Sequence, residues 1–120
     1  MRIAFRATEA AFEADDHALV CGVAAGPDMY LTFQRAVEGS ADDDGIYLEH
    51  RDQINGQYDS IRNCRLSRTQ LTINLSQQLG TLAGVEGFDV ALAVDEASYK
   101  RLCAGLQRIF RDQADALVVA

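Results

Sequence analysis

Between Met29 and Ile61 the chain interleaves apolar residues with side chains that donate, accept and stack: Tyr30, Gln34, Arg35, Tyr47, Glu49, His50, Arg51, Gln53 and Tyr58. A segment built only to fill a core has no need of so many. Glu49, Asp52 and Asp59 could supply paired carboxylates for acid–base work, but nothing in their spacing forces a shared pocket, and a solvated face is the better reading. His17 beside Asp15 and Asp16, and His50 between Glu49 and Arg51, could supply metal ligands. Neighbours along a strand point to opposite faces, so Glu49 and His50 cannot both aim at one ion, and no metal is expected. Asp42, Asp43 and Asp44 lack the alternating spacing and closing glutamate of a calcium loop and read as a solvated loop. One chemical alternative stays open: a polar cleft around Arg35, Tyr47, Glu49 and His50 that binds a small ligand or acts as an enzyme.

Outside this stretch the chemistry thins. There is no GxSxG elbow, no GxGxxG and no phosphate-loop lysine, so neither nucleophilic catalysis nor a nucleotide has a motif behind it, and no cofactor is expected. Cys21, Cys64 and Cys103 are widely spaced and odd in number, which fits reduced thiols acting as small hydrophobes.

The elements that must position these residues follow from periodicity. Ile3, Phe5 and Ala7 alternate as a strand, and Ala18–Ala24 is a more continuously apolar one. DDH between them reads as a polar hairpin turn. Tyr30–Val37 places Leu31, Phe33, Arg35 and Val37 on one face and Tyr30, Thr32 and Gln34 on the other. In Ile46–Arg51, Ile46, Leu48 and His50 oppose Tyr47, Glu49 and Arg51. Asn55-Gly56 is a turn pair, because both residues tolerate positive φ. Residues 61–66, 71–75 and 88–94 supply three more strands, with a tight reversal at Ser67-Arg68. Ser76 can cap a short helix running to about Leu82. The period then changes: Tyr99, Leu102, Cys103, Leu106, Ile109 and Phe110 share one face of a helix, with Asp95 as its cap. Gly105 inside that helix costs about 1 kcal/mol against alanine.

Six or seven strands and one helix predict an α+β domain. Its antiparallel sheet is covered on one face by the C-terminal amphipathic helix, and the other face is left partly exposed. A chain of 120 residues has room for one domain. The last residues, about 112–120, form a tail that could fray, add an edge strand or dock on a neighbour. No apolar run approaches the ~20 residues that span a bilayer, and the opening MRIAFRATEA lacks a long apolar signal region, so no membrane partner and a cytoplasmic location are expected.

Charge narrows the partners. Residues 1–60 carry 12 acids and 4 bases, a net −8, whereas residues 61–120 carry 6 acids and 7 bases, a net +1. Direct nucleic-acid binding needs a positive surface and is not expected. A basic protein partner would suit the acidic half.

The order of motifs adds a resemblance. The chain runs FRATEAAFEADDHALVCGVA, YLTFQR, an acidic spacer, IYLEHRDQ, NGQYDSI, LSRTQLTINLSQQLG and finally LCAGLQRIF. From about Ile3 to Phe110 this is similar to the bacterial immunity proteins known as immunity protein ten, which are encoded beside polymorphic toxins. The family's Tyr-Leu-x-x-Gln-Arg strand is matched by Tyr30, Leu31, Gln34 and Arg35. Its aromatic-x-Glu strand followed by Gln is matched by Tyr47, Glu49 and Gln53. Its Tyr-Gly-x-Ile turn is matched at Tyr58 and Ile61, with Asp59 where glycine is usual. If that position needs positive φ, aspartate carries a small penalty. The resemblance implies a protein without catalysis that neutralises a cognate toxin by stoichiometric occlusion, and the acidic half suits a basic toxin such as a nuclease. The candidate contacts are Tyr30, Gln34, Arg35, Asp42, Asp43, Asp44, Tyr47, Glu49, Gln53 and Tyr58. Monomer and homodimer both remain open.

Overall fold

A computed structural model describes all residues from Met1 to Ala120. The strands are β1 (Arg2–Ala7), β2 (Glu9–Ala14), β3 (Ala18–Ala24), β4 (Tyr30–Ala36), β5 (Tyr47–His50), β6 (Asp52–Tyr58), β7 (Ile61–Leu66), β8 (Gln70–Leu75) and β9 (Gly87–Leu92). Helix α1 (Glu96–Ile109) follows, then a short 3₁₀ turn and β10 (Leu117–Val119). The α+β class is as expected. The strands, however, form two five-stranded sheets, ordered β1-β9-β8-β7-β10 and β2-β3-β4-β5-β6, rather than one sheet of six or seven. The first is mixed, with β1 parallel to β9 and β10 parallel to β7; the second is antiparallel throughout.

Three differences from the sequence expectation have local causes. Glu9–Ala14 is rich in alanine and glutamate, which disfavour strands. It is nonetheless an edge strand, paired along its length with β3, and Asp15 closes the hairpin by accepting the His17 and Ala18 backbone N–H groups. Asn55-Gly56 is not a turn but the middle of β6. The β5–β6 reversal falls instead at Arg51, whose φ is 67°, beside an irregular register at Glu49/His50. Ser76–Leu82 forms no helix: Ser76 Oγ and Gln77 Nε2 donate to the Asp59 carbonyl, which spends these side chains on the β6–β7 turn.

The helix matches its periodicity closely. Asp95 caps it by accepting the Ser98 backbone N–H at 2.7 Å. Leu102, Leu106 and Ile109 are buried against β2, β3 and β4. Phe33 of β4 meets Phe110 just past the helix end, with ring centres 6.2 Å apart. The inner faces of the two sheets supply the rest of one continuous core, including Leu31 and Leu48 from one and Leu71, Ile73, Phe88 and Val90 from the other. Of the fates open to the C-terminal residues, the structure shows the edge strand.

Asp59 occupies the β6–β7 turn with φ 54°, the left-handed conformation that glycine adopts without strain. Asp59→Gly is expected to raise stability by up to about 1 kcal/mol, and Asp59→Val to lower it by about 1–2 kcal/mol, as read from urea midpoints.

Candidate functional site

Strand alternation sorts the polar residues of β4 and β5 onto two faces. Leu31, Phe33 and Arg35, with Leu48 and His50, turn inward and are buried. Tyr30, Thr32, Gln34, Tyr47 and Glu49 turn outward and are half-buried among themselves. The helix and the other sheet cover the inner face, so the outer one is the candidate site.

Glu49 is its centre. Register places it opposite Thr32 of β4 and Gly56 of β6. Tyr30 donates its hydroxyl to Glu49 Oε2 at 2.6 Å, and Tyr47 donates to Oε1 at 2.9 Å. The hydrogen bond to Glu49 is the main cause that pushes the Tyr30 hydroxyl up to about 12. For Tyr47, burial comes first and the Glu49 hydrogen bond second, with the same result of about 12. Gly56 makes the arrangement possible, because a Cβ there would collide with the Tyr47 hydroxyl and ring. Tyr47 and Tyr58 pair across β5 and β6 with ring centres 5.2 Å apart. Gln34 and Gln53 line the same shallow depression as Tyr47, Glu49 and Tyr58. Beside it, Ala11, Val20, Gly22 and Ala24 form an apolar floor on β2 and β3, edged by Glu9 and Glu13.

The structure thus brings together Tyr30, Gln34, Tyr47, Glu49, Gln53 and Tyr58. Arg35 borders the same depression, but its guanidinium does not join them. Arg35 points inward, its side chain 3 % exposed, and ion-pairs with Asp43 and with Asp112. It also donates to the Ile109 carbonyl at 2.8 Å, at the end of α1. Asp43 is therefore no freely solvated loop residue: it pairs with Arg35 and Arg111. Asp42 and Asp44 remain exposed. Of the cleft expected around Arg35, Tyr47, Glu49 and His50, the depression keeps Tyr47 and Glu49 with Arg35 at its border, while His50 is buried on the inner face, because alternation sends its side chain inward.

His50 sits in the core between Phe5 and Phe88, its ring centre 6.2 and 5.0 Å from theirs. Its Nδ1 lies 2.9 Å from the Tyr30 carbonyl oxygen, so this nitrogen carries the proton and donates. Burial holds its pKa below the ordinary imidazole range. The unfolded chain therefore takes up the proton first as pH falls. This part of the stability is complete above the unfolded value of about 6.5 and is lost as pH drops through it toward the folded value. Urea midpoints between pH 7.5 and 5.5 are expected to fall, and to fall less in His50→Asn.

Cys21 and Cys64 are buried, and burial pushes both thiols up, that of Cys64 to about 12, so neither is a thiolate near neutral pH. Two features of the face escaped sequence reasoning, the apolar floor and the role of Gly56. A glycine amid strand residues is itself a signal of close approach, here overridden by the turn preference of Asn-Gly.

A family model described as Immunity protein 10 matches residues 6–100, a span that includes every strand of the second sheet. No curated protein matches the chain.

Proposed function

The chain belongs to the immunity protein 10 family, and from that premise we propose that it neutralises a cognate bacterial toxin by binding and occluding it, without catalysis of its own. The observation that carries this reading is the outer face of the second sheet. Three tyrosines, two glutamines and one glutamate stand there beside an apolar floor, a composition suited to protein interfaces. The net −8 of residues 1–60 would steer that face toward a basic toxin, such as a nuclease, rather than toward nucleic acid itself.

In this reading Tyr30, Gln34, Tyr47, Glu49, Gln53 and Tyr58 make the central contacts, and the exposed Asp42 and Asp44 add rim charge. Arg35 and Asp43 serve by holding the acidic loop in place. Action in the producing cell's cytoplasm accords with this role, and light scattering of the free protein distinguishes monomer from homodimer. The purified pair is expected to form a complex with slow dissociation and an association rate that falls as salt rises. Absence of a complex at micromolar concentration would overturn the proposal.

A further inference from the structure

We propose that Glu49 is a receptor for a guanidinium group, and that the toxin seats an arginine side chain on it. This rests on the toxin-binding reading and adds the chemistry of the contact. Glu49 has no cationic partner within the chain; its hydrogen-bond partners are the two tyrosine hydroxyls. Arg51, two residues on, donates its Nε to the Asp28 carbonyl instead, and Arg35 of β4 is turned inward and consumed by Asp43 and Asp112.

A carboxylate offers about four acceptor positions, and the two tyrosines occupy one on each oxygen. The acceptor positions left over belong to an anchored carboxylate whose orientation is held from both sides. It lies in a depression walled by Tyr47 and Tyr58 and edged by Gln34 and Gln53; Arg35 also borders it, with its guanidinium turned away onto Asp43 and Asp112. A planar, weakly hydrated guanidinium can take both carboxylate oxygens at once and lay its face on an aromatic ring. An ammonium uses a point charge and gains less from the flat walls. Gly56 matters here in a second way, since the absent side chain lets Tyr47 lean over the strand and hold Oε1.

The test begins on the free protein, with methylguanidinium as probe and methylammonium as control. In ¹⁵N-detected titrations, the Gly56, Tyr47 and Tyr58 amides are expected to shift and saturate with a dissociation constant on the order of 10 mM for methylguanidinium. Methylammonium is expected to bind several-fold more weakly. Glu49→Gln keeps the side-chain shape and should abolish saturation while thermal melting shows the protein still folded. Equal shifts in Glu49→Gln, or no saturation in the wild type, would overturn the receptor. The second arm uses the toxin complex, where Glu49→Gln is expected to weaken affinity by roughly 10- to 100-fold. In a double-mutant cycle this loss should couple to one toxin arginine. A wild-type complex that tolerates Glu49→Gln leaves neutralisation standing and removes the receptor. Saturable binding of methylguanidinium with no toxin complex does the reverse.

Discussion

Arg35→Ala is expected to cost about 3 kcal/mol of folding stability, seen as a lower urea midpoint at an unchanged slope. Arg35 makes five hydrogen bonds: two to Asp43, two to Asp112 and one to the Ile109 carbonyl. It therefore ties β4, the acidic loop and the end of α1 into one unit. Alanine would leave a cavity, an unpaired carbonyl and two carboxylates facing each other across it. The estimate lies at the low end for a buried pair, because the Asp112 side chain is 61 % exposed and can turn to water. Acid provides an independent readout. The Arg35 guanidinium holds the Asp112 carboxyl down to about 2, so the stability it contributes is present above the unfolded carboxylate value and is lost as pH falls toward 2. In Arg35→Ala that acid limb should flatten. Arg35→Met should recover part of the loss, since it refills the space without the charge.

Gly105→Val is expected to destabilise by about 3 kcal/mol, although glycine is the weakest helix former in α1 apart from this contact. From helix propensity alone, Gly105 is a defect worth about 1 kcal/mol. In the folded protein it is the point where α1 presses onto the second sheet. An added Cβ would lie 2.7 Å from two Phe12 ring carbons and 2.9 Å from the Cys21 sulfur. Neither neighbour can yield easily, because Cys21 is fully buried on β3 and the Phe12 ring is also covered by Arg108, 5.7 Å from its centre. Even Gly105→Ala should lose stability, with its gain in propensity offset by overpacking. Melting of the two variants beside wild type checks the order, and equal or higher stability of Gly105→Ala would contradict it.

These two positions show what was legible. Alternation in β4 and β5 is a local property, so the sequence separates Tyr30, Gln34, Tyr47 and Glu49 from Arg35 and His50. The 3.6-residue period and Asp95 likewise place α1 almost to the residue. Arg35 still reads as an interface candidate, because an arginine is rarely buried and its partner Asp112 lies 77 residues away. Gly105 reads as a weakness, because what a glycine touches is set by another element.

The stretch from Met29 to Ile61 carries both lessons. By itself, the sequence determined which side chains share a face, that the excess negative charge lies in the first half, and that the motif order is that of an immunity protein. Only the tertiary structure decided that the strands split into two sheets, that Asn55-Gly56 lies within a strand, and that the face bearing Glu49 is the open one. The reason is physical. Side-chain direction along a strand follows from backbone geometry two residues at a time, whereas strand partners and buried charge are settled by contacts between segments that no local pattern encodes.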